Sequence, residues 1–332
     1  MAIDLETKER ILFGLFLCSS SSNELLQLLK PEWNQLVELP IEEKFTELNI
    51  PFLIKDVFPW KEQLSKEVDD KDFYKSFFIQ PDLFLRIRPG YETIVEEKLI
   101  DADISFSIKN KNCISVSNAS KADSIIELDK EAVVQDLNSQ RTGDFMQAVM
   151  KDIAPPVHAW DCCAASGGKS IMLYDINPGI NLSVSDIRES ILSNLKKRFA
   201  KAGINKYKSF IADLSNPVKQ LAAANYNLII ADVPCSGSGT WSRTPEQLFF
   251  FEETKISEYS SRQQKIVSNI IPGLQQGGYL LYITCSVFKK ENEEIVEFIQ
   301  EKHKLQIVRM ELLKGYRQKA DTLFAALLQK PL

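Results

Sequence analysis

The length, composition and charge of the chain are those of a globular protein of two or three domains. Its 332 residues are 44% hydrophobic, and no apolar run approaches the roughly 20 residues of a membrane-spanning helix, so we expect a cytoplasmic protein with no membrane partner. The net charge of −5 is unevenly split, because residues 1–150 carry 17 Lys and Arg against 27 Asp and Glu, whereas residues 151–332 carry 23 against 18. The basic excess in the second half fits a nucleic acid partner, or uneven surface composition alone.

The first 75 residues predict an N-terminal helical region, since apolar residues recur at helical spacing over Glu6–Leu17 and Glu24–Leu29. Residues 76–130 have a different pattern, in which a strand, a helix and two short strands follow one another. These segments are Leu83–Arg88, Tyr91–Ala102, Ile104–Ile108 and Cys113–Val116. The pattern predicts a small α+β subdomain.

From residue 131 onward, strands and helices alternate, which predicts a mostly parallel sheet with helices on both faces. The predicted strands are His158–Asp161, Asn181–Ser185, Lys208–Ile211, Tyr226–Ala231 and Gly278–Thr284. Ligands bind beyond the carboxyl ends of such strands, so residues at these ends should share one rim of the sheet. Those residues are Asp161, Asp186, Asp213, Asp232 and Cys285.

A run of small residues, Asp161–Ser170, joins the first of these strands to a helix. Small residues let backbone amides approach a ligand, and the start of a helix offers unpaired N–H groups. Taken alone, the run is better explained as a tight structural turn. Asp186 follows it by about 20 residues, the place where an acidic side chain binds ribose hydroxyls in nucleotide-binding folds. Asp213 could contact an adenine in the same way, or cap the segment after it.

Two cysteines stand where predicted strands end. Asp232–Thr240 passes from a strand through a proline and Cys235 into a Gly- and Ser-rich loop, and Tyr282–Ser286 ends a second strand at Cys285. A free cysteine is usually a small core hydrophobe, and that explanation suffices for either one alone. Two of them at neighbouring strand ends, each among small polar residues, favour chemistry performed by thiols. The six cysteines and two histidines have no metal-ligand spacing, which predicts no metal site and no disulfide framework.

These motifs together resemble the RsmB/Sun/NSUN family of RNA 5-methylcytosine methyltransferases. Asp161–Lys169 is similar to the family's cofactor loop D-x-C-A-A-P-G-G-K, Asp232–Gly239 to D-A-P-C-S-G-x-G, and Thr284–Asn292 to T-C-S followed by E-N. Ser166 stands where the family usually has proline and Val233 where it usually has alanine, and both should be tolerated, although serine leaves room for a looser cofactor loop. Lesser matches are Gln135-Asp136, Arg243, Pro245-Glu246, Gln264, Gly277-Gly278 and Asp321–Ala325.

The resemblance implies an α/β architecture with a Rossmann-like class I methyltransferase domain over residues 131–332. A small α+β subdomain facing RNA, over residues 76–130, and an N-terminal helical region, over residues 1–75, would precede it. The implied cofactor is S-adenosylmethionine, with no metal. The implied substrate is a cytosine in RNA, single-stranded or flipped out, with ribosomal RNA favoured over transfer RNA. We expect the chain to act as a monomer.

The resemblance also assigns roles to residues. Cys285 would add to carbon 6 of cytosine as the nucleophile, and Cys235 would assist release of the product. Asp232 would hydrogen-bond the base near nitrogen 3, with Lys169 close by. The implied cofactor-binding residues are Cys163, Ala164, Ala165, Ser166, Gly167, Gly168, Lys169, Asp186, Arg188, Asp213 and Asp232.

Further side chains near the motifs could contact RNA. Trp241 and Phe249–Phe251 could stack on bases or pack in the core. A basic stretch could meet phosphates or simply face solvent; it comprises Lys196, Lys197, Arg198, Lys201, Lys206 and Lys208. Two other functions stay open. An amino-group methyltransferase would need neither cysteine, and a non-catalytic RNA-binding assembly factor would fit the acidic N-terminal half.

Overall fold

Two β-sheets organise the residues that this computed structural model describes, namely 6–49, 52–217 and 225–332. The helices are α1 (Thr7–Cys18), α2 (Glu24–Leu29), α3 (Pro31–Asn34), α4 (Ile41–Glu47), α5 (Asp70–Ser76), α6 (Glu92–Asp101), α7 (Leu137–Asp152), α8 (Gly168–Ile176), α9 (Glu189–Lys201), α10 (Pro245–Phe250), α11 (Thr254–Ile270) and α12 (Glu293–His303). The strands are β1 (Leu83–Ile87), β2 (Phe106–Asn110), β3 (Cys113–Val116), β4 (Ala132–Val134), β5 (His158–Asp161), β6 (Asn181–Asp186), β7 (Tyr207–Ile211), β8 (Tyr226–Asp232), β9 (Leu274–Thr284), β10 (Gln306–Leu313) and β11 (Leu323–Gln329). None of the described helices has the length and apolar character to cross a membrane.

The larger sheet has seven strands in the order β10-β11-β9-β8-β5-β6-β7. The five strands from β5 to β9 are parallel, whereas β11 runs antiparallel to both β9 and β10. Side chains alternate between the two faces, so that Leu228 and Ile230 pack under α7, α8 and α9, while Ile229 and Ala231 pack under α11 and α12. This arrangement confirms the predicted Rossmann-like α/β fold with helices on both faces.

The last hairpin of the larger sheet, β10 and β11, was not predicted, and neither was α12. Residues 323–328 of β11 form a continuous buried apolar run. Such a run has no alternation to separate a strand from a helix, because both of its faces are covered. The hairpin extends the sheet beyond β9 and places Asp321 and Thr322 beside the loop that follows β8.

The smaller sheet has the order β2-β3-β1-β4, with all pairs antiparallel. Helix α6 covers one face by burying Val95 and Leu99 against Leu85 and Ile114. Strand β4 pairs with β1, so the sheet extends past the boundary predicted at residue 130.

Ion pairs with little solvent exposure join the smaller sheet to helices α8 and α9 beside the larger sheet. Arg86 and Arg88 on β1 and just after it both bind Asp175 of α8, at 2.6 and 2.7 Å. Arg198 of α9 binds Asp129, which precedes β4, at 2.7 Å. Because these groups are largely buried, removing one partner would leave an uncompensated charge.

The described residues before β1 pack in two separate places. Helices α1 to α3 form a small core of their own around Leu12, Phe16 and Leu26. Residues 54–77 instead join an aromatic cluster that includes Trp241 and Phe288, which follow β8 and β9. This second segment contains two short 3-10 turns besides α5, so the predicted helical character holds only in part.

Candidate active site

Two strand ends bring Cys235 and Cys285 together. Strands β8 and β9 are parallel neighbours in which Asp232 pairs with Ile283, so the loops after them leave the sheet side by side. The Sγ atoms of Cys235 and Cys285 are 3.3 Å apart. The meeting of these two residues at one rim follows from the topology that the strand pattern predicts.

Asp232 and Lys169 form the charged pair beside the cysteines. Lys169 lies in the first turn of α8, and its Nζ is 2.6 Å from Asp232 Oδ2. Burial alone would lower the pKa of Lys169, but the negative charges of Asp232, Asp161 and Cys285 raise it overall. Lys169 is therefore a fixed positive charge next to the sulfur of Cys285.

The surroundings of Cys235 favour its neutral form. Its hydrogen bond with Cys285 and its burial raise the pKa of the Cys235 thiol well above the usual range, and the negative charge of Glu291 raises it further. Cys235 is thus a thiol at neutral pH. The Cys285 sulfur, in contrast, interacts with the positive charge of Lys169. Neighbouring groups with different electrostatic surroundings are the usual basis for separate acid and nucleophile roles.

A buried polar network holds the two cysteine loops. Glu291 accepts hydrogen bonds from the backbone N–H of Ser236 at 2.8 Å and from the hydroxyl of Ser286 at 3.0 Å. Its backbone carbonyl accepts from the Tyr282 hydroxyl at 2.7 Å, inside β9. Only the membership of Glu291 in a motif was predicted, and not these contacts.

The hairpin β10–β11 supports the loop after Cys235 from the other side. The Gly239 N–H donates to the carbonyl of Cys285 at 2.8 Å, and the Gly239 carbonyl accepts from the Thr322 N–H at 2.9 Å. A Cβ on Gly239 would lie 2.0 Å from the carbonyl oxygen of Thr322. Glycine is therefore required here by close backbone approach.

A cleft of about 410 Å³ opens beside the two cysteines, a volume suited to a small-molecule ligand. Six of the eleven predicted cofactor-binding residues line it: Cys163, Ala165, Asp186, Arg188, Asp213 and Asp232. The Asp186 carboxylate accepts from the N–H of Ala165 at 3.1 Å and from the N–H and Nε of Arg188. Burial would raise the pKa of Asp186, but these hydrogen bonds and the charge of Arg188 lower it overall, so it is an ionised acceptor suited to ribose hydroxyls. The residues present fit S-adenosylmethionine.

The other predicted cofactor-binding residues belong to the same loop or to the start of α8 but do not line the cleft. Gly167 has a φ of 86°, and a Cβ there would meet Phe199 at 2.8 Å. The remaining ones are Ala164, which is buried, Gly168 and Lys169 at the start of α8, and Ser166.

Ser166, in the place of the family's usual proline, has side-chain support that holds the cofactor loop. The Arg198 guanidinium donates from Nη1 to both the carbonyl and the hydroxyl of Ser166, at 2.9 and 2.8 Å. Because Arg198 also binds Asp129, the loop, helix α9 and the smaller sheet are joined through one side chain. Arg198 is therefore a structural residue here and does not face phosphates as the basic stretch suggested.

Asp213 combines the two roles that its sequence position left open. Its carboxylate accepts from the N–H of Ser215 at 3.0 Å and from the side chain of Asn216 at 2.7 Å, which caps the turn after β7. It also lines the cleft. Six further lining residues were not predicted, because no motif marks them: Ile187, Ala212, Leu214, Ser215, Arg262 and Ile266.

The aromatic candidates for RNA contact differ in solvent exposure. Trp241 is 1% exposed and packs against Phe251 and Phe288, so its proposed stacking on RNA is wrong. Phe249 and Phe250 are 81% and 76% exposed at the end of α10. Lys206 and Lys208 lie at the amino end of β7, at the opposite end of the sheet from the cysteines.

No group of three or more His, Cys, Asp and Glu side chains in the described part of the chain is arranged to hold a metal ion.

Known proteins resemble the chain in sequence and in fold. "Ribosomal RNA small subunit methyltransferase B" of Enterobacter sp. (strain 638) is 30% identical over 172 residues, a match that covers 50% of this chain and 38% of that protein. The crystal structure of PH0851 has a TM-score of 0.74 at 20% identity, covering 92% of this chain and 75% of that one. The structure of NSun6 from Pyrococcus horikoshii with SFG has a TM-score of 0.67 at 14% identity, covering 84% of this chain and 98% of that one. At these identities the two structures support the fold alone.

A family model described as 16S rRNA methyltransferase RsmB/F matches residues 152–327, more than half of the chain. The matched region begins at the end of α7 and ends within β11, and so contains both cysteine loops and the cofactor loop. The match confirms the resemblance read from the motifs, and with it S-adenosylmethionine as the cofactor. The chain belongs to the RsmB/F family of 16S rRNA methyltransferases.

Proposed function

We propose that the chain methylates carbon 5 of a cytosine in ribosomal RNA through a covalent adduct on Cys285. The observation that carries this proposal is the 3.3 Å separation of the Cys235 and Cys285 sulfurs at the rim of the cleft. An amino-group methyltransferase requires neither thiol. The named relatives act on ribosomal RNA of the small subunit, but the matched region spans 38% of their length, so the substrate is part of the proposal.

The first step uses the charge of Lys169. Carbon 5 of cytosine is a weak nucleophile until a thiolate adds to carbon 6, which breaks aromaticity and places electron density on carbon 5. We infer that the Cys285 thiolate is the attacking group, with the Lys169 ammonium as the neighbouring positive charge. Asp232, held at 2.6 Å by Lys169, would hydrogen-bond the base near nitrogen 3. S-adenosylmethionine supplies the methyl group when bound.

The release step uses Cys235. After methylation the proton on carbon 5 must leave as an electron pair returns to the ring and the bond from carbon 6 to the Cys285 sulfur breaks. While Cys285 is bonded to carbon 6 it is no longer a thiolate, so the hydrogen bond that most raises the pKa of Cys235 is lost. Cys235 is then easier to deprotonate at the step that needs a base, acting directly or through water.

The test is a trapping experiment with Cys235→Ala. This variant should attack and methylate cytosine but fail to release it, leaving protein covalently bound to RNA. After expression in cells and denaturation, a slower-migrating, nuclease-sensitive band should carry the protein, and sequencing the attached RNA identifies the substrate. Cys235→Ala combined with Cys285→Ala is the matched control and should give no band.

Two results would count against the proposal. Wild-type methylation by Cys285→Ala would indicate amino-group chemistry instead. Absence of the adduct in Cys235→Ala, with S-adenosylmethionine bound but no methyl transfer by the wild type to ribosomal RNA, would favour the assembly-factor function.

A further inference from the structure

Glu291 is the one carboxylate of the described residues that hydrogen-bonds both cysteine loops. Its Oε2 accepts from the N–H of Ser236, the residue after Cys235. Its Oε1 accepts from the hydroxyl of Ser286, the residue after Cys285. Cys235 and Cys285 follow different strands and are 50 positions apart in the chain.

The surroundings of Glu291 fix its carboxylate in place. The residue is fully buried, and Gln263 of α11 donates from its Nε2 to Glu291 Oε2 at 3.2 Å while also donating to the carbonyl of Pro234. Burial raises the pKa of Glu291 although its hydrogen bonds oppose the shift. Burying an acidic group there costs desolvation free energy, and this cost arises at the point where the two cysteine loops meet.

We propose that Glu291 is a positioning residue that sets the distance between the Cys235 and Cys285 sulfurs. It holds the residue after each cysteine and does not line the cleft itself. This role refines the proposed function. Its effect on catalysis rests on the proposed function, whereas its effect on the distance between the two sulfurs does not.

The catalytic consequence falls mainly on release. Attack on carbon 6 needs Cys285 and the charge of Lys169, neither of which Glu291 contacts. Release needs Cys235 close to the carbon 5 of a base that is bonded to Cys285. A wider separation of the sulfurs should therefore slow release more than attack, so the adduct should accumulate.

The geometric test measures disulfide formation without RNA or cofactor. Diamide takes two electrons and two protons from two thiols, which join as a disulfide, and is itself reduced to a hydrazine. Peptide mapping by mass spectrometry reports the rate of the Cys235–Cys285 bond, and Cys235→Ser gives the background. Thermal melting first verifies that each variant is folded.

Two substitutions separate hydrogen-bond geometry from charge. Glu291→Asp keeps the charge but is one methylene too short to reach both loops, and we expect disulfide formation roughly tenfold slower, since a misplacement near 1 Å has effects of this size or larger. Glu291→Gln keeps the length. Its carbonyl can accept from the Ser236 N–H, and its amide can donate to the Ser286 hydroxyl, so it should form the disulfide at least as fast as the wild type.

The control is Glu293→Asp, two residues further along. Glu293 is partly buried, but its carboxylate accepts from Ser65 and contacts neither cysteine loop, so this variant should behave as wild type. Equal rates in the wild type and Glu291→Asp would overturn the proposal. So would a loss in Glu291→Gln as large as in Glu291→Asp, or an equal loss in Glu293→Asp.

The second measurement is the ratio of trapped adduct to methylated RNA at fixed time. Glu291→Asp should raise this ratio several-fold over the wild type, whereas Glu291→Gln should give the wild-type ratio. If the sulfur geometry responds as expected but no variant forms an adduct, the failure lies with the proposed cytosine chemistry. If adducts form but the ratio does not respond, Glu291 does not act in release.

Discussion

Asp161 is a buried carboxylate directly behind the cofactor loop. Its Oδ2 accepts from the Ser170 hydroxyl at 2.6 Å, whereas its Oδ1 has no partner among the described residues. Burial raises the pKa of Asp161 to about 7, although the Ser170 hydrogen bond opposes the shift. This acid therefore changes its protonation near physiological pH, at the strand end from which the cofactor loop begins.

We expect this group to make the folded protein less stable as the pH rises. The unfolded pKa of an aspartate is about 3.9, so between roughly pH 4 and pH 7 the folded state holds a proton that the unfolded state has lost. The free energy of unfolding should fall through this window, by on the order of 4 kcal/mol. Asp161→Asn should remove that loss, and urea unfolding at several pH values measures it.

The comparison depends on how steeply the free energy of unfolding falls between about pH 4 and pH 7. Burial also raises the pKa of Asp321 to about 7, so Asp161→Asn should reduce the slope without abolishing it. A slope identical to that of the wild type would show that Asp161 is already ionised in the folded protein.

At the scale of elements, the loop from Cys235 to Thr240 depends on backbone contacts to both of its neighbours. Gly239 lies between the end of β9 and the start of β11, bonded to Cys285 on one side and to Thr322 on the other. Movement of a flexible side chain could not relieve a clash with a Cβ at Gly239, because the atoms that the Cβ would meet belong to the backbone.

Gly239→Ala should therefore displace the loop that carries Cys235. We expect the free energy of unfolding to fall by roughly 1–3 kcal/mol, as in overpacked cores. Methyl transfer should fall by about 100-fold, because the reacting groups lose alignment. Denaturant unfolding and single-turnover methylation with labelled cofactor measure the two effects.

Gly14→Ala on α1 is the matched control, since nothing lies within 4 Å of a Cβ at Gly14. It should leave methyl transfer unchanged. Wild-type activity in Gly239→Ala would show that the loop tolerates the shift, and would remove the hairpin β10–β11 from the set of elements that support the site.

The predictable elements are those whose pattern is local. The strands β5 to β9 were recognised because each is a short segment that ends at or near a polar residue within a run of alternating strands and helices, and this alternation gives their parallel order. Hairpin β10–β11 could not be recognised in this way, because it is identified by its pairing with β9, about 40 residues earlier.

The residues of the site can likewise be separated into those whose meeting the sequence predicts and those whose contacts it does not. Cys235, Cys285, Asp232 and Lys169 meet as expected, because strand ends of a parallel sheet share one rim. The bond from Arg198 to Ser166, and the contacts of Glu291, could not be read from the chain. They depend on side-chain directions across loops, which no spacing rule determines.

At the scale of the whole molecule, an aromatic cluster joins the N-terminal residues to the catalytic loops. Trp60 packs against Trp241 at 5.7 Å and Phe251 at 5.0 Å between ring centroids. Phe288, three positions after Cys285, lies in the same cluster. Residues 54–77 therefore brace the loops that follow both β8 and β9.

Trp60→Ala should weaken both stability and activity. Truncating a large aromatic in a packed cluster costs about 3 kcal/mol, less where the ring is partly exposed. Activity should fall at temperatures where the protein is still folded, because Phe288 and Trp241 lose a shared neighbour. Thermal melting followed by methylation at a temperature well below the transition measures the two.

Trp33→Ala supplies the comparison within the same N-terminal region. Trp33 is also partly buried, but it packs in the separate core of α1 to α3. It should lower stability without lowering the rate of methyl transfer. Equal loss of activity in the two variants would mean that the N-terminal residues act as one body.

The position of β4 determines how the chain can be divided for expression. A cut at residue 130 would take Ala132–Val134 away from β1 and leave the main-chain N–H and C=O groups of β1 unpaired along that edge. Open edges of this kind recruit strands from other molecules, so fragments divided there should aggregate. A cut after Gln135, whose N–H still bonds to Phe84, would keep the four-stranded sheet intact, with β1 paired on both sides.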